Sequence, residues 1–175
     1  MESKLPISNQ PSAKELWQGI GGHFDSLGQI VNEFLDNSIS NFAAHTSATR
    51  NILVRLQEKT PGGDVHISIE DTGTGIRDLD AAFTLGNQSA GETPLNEHGF
   101  GLKHALASAN PENNAWSICT RTKEDIDNNR FKKISAPYDI IDFEGLYCDA
   151  VDWPGHYNGT GTIVTFDCPV VYTGP

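Results

Sequence analysis

The chain has 175 residues and a formal net charge of −11, from twelve Lys and Arg against twenty-three Asp and Glu. That length is most economically one domain, on the usual scale of roughly 150 residues, and it buries about 70% of its unfolded surface without needing disulfide or metal staples. The acidic balance, with no basic cluster beyond Lys132-Lys133, argues against direct nucleic-acid binding, which draws on phosphate neutralisation. No apolar run approaches the ~20 residues of a membrane-spanning helix.

The opening MESKLPISNQPSAKE is polar, carries two prolines and lacks the apolar core of a secretory signal. Residues 1–18 read as an arm with little structure of its own, and a glycine hinge follows at Gly19, Gly21 and Gly22. Cys119, Cys148 and Cys168 are odd in number and far apart, which disfavours a disulfide framework. A reducing compartment is expected: the cytoplasm, or the nucleus in a eukaryote.

In FDSLGQIVNEFLDNSISNFAAH, the residues Leu27, Ile30, Val31, Phe34, Leu35 and Phe42 keep the 3.6-residue period of an amphipathic helix. Ser26 with Gln29 three residues on is a capping-box signature for its start. NILVRLQ and VHISIED then alternate with period two, Ile52, Val54 and Leu56 on one face and Val65, Ile67 and Ile69 repeating the pattern. The TPGGD between them is turn chemistry, so an antiparallel hairpin is expected. DLDAAFTL predicts a short helix, and GNQSAGETPLNEH, punctuated by Gly86, Gly91 and Pro94, a loop. GFGLKHALASA reads as a glycine turn opening a helix; AWSICTR, RFKKIS and GTIVTFDC read as strands, with a turn at Asp127-Asn128-Asn129. This order implies an α+β two-layer sandwich, one sheet with helices on one face.

Three runs carry chemistry. In NEFLDNS, positions i, i+3 and i+4 share a helix face, so Glu33, Asp36 and Asn37 project together. An Asn carbonyl suits Mg²⁺, which takes one or two protein oxygens and completes its shell with water and phosphate. A Glu one turn earlier is placed to take a proton from water. The plainer alternative is a solvated helix edge. In DTGTGI, Asp71 ends a strand where a carboxylate accepts from an exocyclic amine such as that of adenine, with Ile76 against the ring. Its alternative is an ordinary glycine turn with a capping Asp. In HGFGLK, glycines before a helix leave N–H groups free for an anion, and Lys103 adds a point charge. Neither a P-loop nor a Rossmann fingerprint is present. His98 and His104 flank that turn without a His or Cys partner at ligand spacing, which disfavours metal ligation, and His23 reads as structural.

Taken in order, these runs resemble the GHKL ATPase superfamily of gyrase B, the ninety-kilodalton heat-shock chaperones, histidine kinases and MutL. NEFLDNS resembles the N box, DTGTGI the G1 box, HGFGLKHA the G2 box and GTGTIVTF the closing strand. Within the superfamily, the pairing of ExxDNS with FTLGNQS and GFGLK most resembles MORC-type ATPases and their bacterial relatives.

The resemblance implies a Bergerat ATP-binding fold over residues 19–170, its sheet mixed and mostly antiparallel, with 171–175 a tail truncated before a further domain. It implies ATP and Mg²⁺ as ligands, Glu33 as general base and Asn37 as metal ligand. Asp71 would bind the adenine amine with Thr162, Gly73 and Gly75 would make room for the base, and Ile76 would pack on it. Residues 86–98 would form the lid. Gly99, Phe100, Gly101, Leu102 and Lys103 would cradle the triphosphate, with Asp36 and Ser89 completing the nucleotide contacts. It further implies a homodimer when ATP is bound and a downstream transducer domain or partner protein. Asn96 and Ser40 depart from the family pattern, which keeps a non-hydrolysing, nucleotide-gated interaction module as an alternative. A histidine-kinase catalytic domain is a weaker one, because such domains carry Asn where Glu33 stands.

Overall fold

The alternating runs pair as their pattern requires. Strand β1 (Ile52–Glu58) lies antiparallel to β2 (Val65–Asp71), with Ile52 opposite Asp71 and Glu58 opposite Val65. The computed structural model describes residues 12–22, 24–45, 49–83, 101–139 and 142–169. Among these, a six-stranded sheet runs β1-β2-β6-β3-β4-β5, completed by β3 (Trp116–Arg121), β4 (Arg130–Ser135), β5 (Leu146–Asp149) and β6 (Gly161–Cys168). Every neighbouring pair is antiparallel. The last strand in the chain is inserted at the centre, so Thr162 of β6 stands opposite Asp71 on one side and Thr120 on the other.

Helices α1 (Ala13–Ile20), α2 (Leu27–Ala44) and α4 (Gly101–Ala109) supply the second layer. Ile67 and Ile69 of β2, Trp116 and Ile118 of β3, and Val164 and Phe166 of β6 form one buried core with Trp17, Ile30, Phe34 and Leu106 of the helices. This is the α+β sandwich expected from the element order. Short α3 (Leu79–Phe83) and α5 (Lys123–Asp127) sit at the ends of β2 and β3. No helix among the described residues is long and apolar enough to cross a membrane.

The Ser26 signature is met in part. Ser26 Oγ accepts the Gln29 N–H at 3.3 Å, but the Gln29 side chain accepts from Asp25 N–H at 2.6 Å, one residue outside a closed capping box. The reading of residues 1–18 as an arm fails for Ala13 onward. Ser12 caps α1, Trp17 is fully buried, and its indole N–H donates to Asn110 O at 2.8 Å. One aromatic stacked on Trp116, with ring centroids 5.6 Å apart, outweighs the polar composition around it. Residues 1–11 and His23 lie outside the described residues. Leu56 alternates correctly but is 62% exposed, on the edge strand β1.

The opposite face of the sheet is covered in part by the segment after β5. Glu70, fully buried there, accepts the N–H groups of His156 and Tyr157 at 2.9 and 2.8 Å. Arg121 donates to Gly159 O and Tyr157 O and lies over the Trp153 ring, 4.3 Å from its centroid. The same segment delivers Thr160 to the turn after β2, where its hydroxyl donates to Gly73 O at 2.7 Å.

Candidate functional site

Between α2, α4 and the sheet lies a cavity of about 310 Å³. Asn37 and Asp71, 34 positions apart in sequence, both line it, together with Ile76, Gly101, Leu102 and Thr162. Helix α2 explains half of this convergence. Glu33, Asn37, Ser40 and Ala44 form one stripe along it, and Phe34, Ser38 and Asn41 the neighbouring stripe that faces the sheet.

Asp71 is placed by three elements. The end of β2 carries it; its Oδ1 accepts the Gly73 N–H at 2.8 Å, and its Oδ2 accepts the Ser38 hydroxyl of α2 at 2.9 Å. Burial raises its pKa, against the opposing pull of those donors. An ionised carboxylate has about four acceptor sites, so capacity remains for a ligand donor. Beside it, Thr162 and Thr120 hydroxyls are 3.0 Å apart, and Thr120 Oγ1 accepts the Ile76 N–H at 2.8 Å. A polar row thus crosses β2, β6 and β3, with Asp71 and Thr162 lining the cavity and Thr120 buried beside them.

Glu33 lies half-buried with its carboxylate against Gly101, where a β-carbon would overlap Glu33 Oε1. The acid therefore stands at the first residue of α4, a helix end that presents N–H groups and positive dipole. Burial, then the nearby Asp36 charge, raises its pKa. A raised pKa makes this carboxylate a stronger proton acceptor.

Other expected residues stand differently. Asp36 is exposed and outside the cavity lining; its described effect is on Glu33. Gly73 and Gly75 make room for protein. A β-carbon on Gly73 would overlap Asn41 Oδ1, and Gly75, at φ +75°, packs on the Arg121 carbonyl as it borders the cavity. Lys103 is wholly buried in α4 rather than among the lining residues, and its ammonium lacks a hydrogen-bond partner among the described residues. Burial lowers its pKa to about 8. Ser89, Gly99, Phe100 and the lid span 86–98 lie outside the described residues.

Sequence reasoning missed Ser38, Asn41, Thr74 and Thr120. Ser38 and Asn41 had a visible signal, since both fall on the sheet-facing stripe of α2. Thr74 stood inside DTGTGI, which was read for its Asp, its glycines and Ile76 alone, and Thr120 had no signal, because only the strand order brings it beside Thr162.

The family model described as histidine kinase-, DNA gyrase B- and HSP90-like ATPase matches residues 22–170. The chain belongs to the GHKL ATPase family. The match spans α2 to β6 and starts after α1, so the helix anchored by Trp17 precedes the matched region of this GHKL-type ATP-binding domain. No curated protein matched the sequence. The cavity described above lies wholly within the matched range, and ATP binding is expected of a domain of this family.

Proposed function

We propose that this GHKL domain binds ATP with Mg²⁺ and hydrolyses it to ADP and phosphate. The observation that carries the reading is the convergence of Asn37 and Asp71 on one cavity, with the Glu33 carboxylate against the start of α4. Asp71 accepts from the adenine amine, and Thr162 extends that network. The N–H groups at the start of α4 face the phosphates. Glu33 orients a water and takes its proton as the oxygen attacks the γ-phosphorus, and ADP leaves with the bridging oxygen.

The residues fit Mg²⁺ held through substrate. Asn37 offers one oxygen, and no group of three or more His, Cys, Asp or Glu side chains forms a metal cage among the described residues, so phosphate and water oxygens would complete the shell. When bound, the ion neutralises triphosphate charge.

In this reading, ATP orders residues 86–98 as a lid and favours a homodimer, and phosphate release reverses both. The resemblance of NEFLDNS and FTLGNQS to MORC-type ATPases favours a role as the switch of a larger protein or complex, in the cytoplasm or nucleus. Comparing molecular size with and without a non-hydrolysable ATP analogue tests the dimer.

Phosphate release by wild type and Glu33→Gln, with ATP binding measured in parallel, tests the chemistry. Loss of a positioned general base is expected to lower turnover by about 10²-fold or more while ATP is still bound. Equal turnover in the two proteins defeats Glu33 as base. Binding without turnover in the wild type turns the reading into a nucleotide-gated module.

A further inference from the structure

The turn that carries Asp71 is held by a residue that the proposed chemistry does not use. Asn41 lies one helical turn beyond Asn37 on α2 and lines the cavity. Its Oδ1 accepts the Thr74 N–H at 2.9 Å, and its Nδ2 donates to the Thr74 hydroxyl at 3.0 Å. The backbone N–H can only donate, so it fixes which end of the amide is the oxygen. Both ends of one side chain thereby grip one residue of the turn.

Gly73 sits between this amide and the carboxylate. A β-carbon there would overlap Asn41 Oδ1 and lie 2.9 Å from Asp71 Oδ1. Asn41 and Asp71 therefore flank the same glycine, whose own N–H is given to Asp71. From the far side, the Thr160 hydroxyl donates to Gly73 O. The turn itself adds little to the core, since Thr74 and Gly75 are only half-buried.

Resting on the ATP-binding reading of the cavity, we propose that Asn41 is a positioning residue for base recognition. It clasps residues 73–74 so that Asp71 is presented at a fixed place, and it thereby sets the preference of the site for 6-amino over 6-oxo purine nucleotides. A carboxylate accepts from an amino group and repels a carbonyl oxygen, but it discriminates only while it cannot withdraw. Without the clasp the turn relaxes, water enters between Asp71 and the base, and the difference between the two purines shrinks.

The test is calorimetric binding of ATP and of inosine triphosphate, its 6-oxo counterpart, to the full chain, with melting curves recorded for each protein. Wild type is expected to prefer ATP. Asn41→Ala is expected to bind ATP about tenfold more weakly, the cost of one to two hydrogen bonds, with inosine triphosphate little changed, so that the ratio collapses. Thr74→Ala removes only the hydroxyl half of the clasp and is expected to move the ratio the same way by less; it serves if Asn41→Ala does not fold. A ratio equal to wild type in the folded variants, or equal loss for both nucleotides, overturns the role of Asn41. A wild type that binds both nucleotides equally overturns it as well. Binding of neither nucleotide by the wild type defeats the ATP-site reading itself.

Discussion

Lys103 offers a sharp test of the energetics around α4. Its side chain is wholly buried, its ammonium has no hydrogen-bond partner among the described residues, and burial brings its pKa from 10.5 to about 8. At 1.36 kcal/mol per pKa unit, the charged form carries a penalty of about 3 kcal/mol in the ligand-free fold at neutral pH. Lys103→Met keeps the length of the stem and drops the charge. It is expected to stabilise the ligand-free protein by up to about 3 kcal/mol, which for a domain of this size is a rise in Tm of about 6–12 °C.

The gain has a pH signature. The unfolded chain keeps the lysine proton up to the ordinary 10.5, whereas the folded chain releases it near 8. Between those values the unfolded state binds more protons, so wild-type stability rises with pH across that window. The gap between variant and wild type is therefore full below about pH 8 and closes as the pH approaches 10.5. Urea denaturation of both proteins from about pH 7 to about pH 10 reads it directly. The same ammonium is the charge that the G2-box resemblance assigns to phosphate, so the more stable variant is expected to bind ATP at least about tenfold more weakly. A Lys103→Met protein no more stable than wild type at neutral pH, or a gap that stays constant as the pH rises, refutes the reasoning.

Two further outcomes concern the frame around the site. Trp17→Ala removes a fully buried indole, its stack on Trp116 and its bond to Asn110 O; a loss of about 3–5 kcal/mol is expected in denaturant titration, and a loss under about 1 kcal/mol would mean that α1 is not an integral part of the domain. Burial pushes the Asp167 carboxyl up, but hydrogen bonds from Lys59 and His66 bring it below its ordinary 3.8. Its contribution is therefore present above that value and lost as the pH falls through the depressed one. The stability gap between wild type and Asp167→Asn is expected to vanish in acid, and a gap unchanged by acid would show that the ion pairs contribute nothing.

The elements that the sequence disclosed share a property: their signal lies within a single window. The period of α2, the alternation of β1 and β2 and the turn at TPGGD are local, and each appears where its pattern put it. Helix α1 did carry a local signal, Ala13, Leu16, Trp17 and Ile20 at helical spacing after Ser12, but it is only eight residues long beside a polar, proline-bearing run, and the decisive side chain, Trp17, acts through Trp116 and Asn110, about a hundred positions away. Strand β5 was hidden for a related reason. Its four residues LYCD are too short to show alternation, and it forms because β4 offers an edge to pair with.

The site divides along the same line. Glu33 and Asn37 were visible as a helical spacing, and Asp71 as the end of an alternating strand. The glycines of DTGTGI were read as space for a base, since a sequence shows that a side chain is missing but not what stands in its place. The fold answers with Asn41 at Gly73 and the Arg121 carbonyl at Gly75. Insertion of β6 between β2 and β3 sets this arrangement, because it brings β3, and with it Arg121 and Thr120, beside the turn. A glycine motif of this kind is therefore a statement about neighbouring protein atoms as much as about a ligand. Substituting Gly73 or Gly75 would disturb the support of Asp71 before any nucleotide arrives, so loss of binding in such variants would not by itself place a base against those glycines.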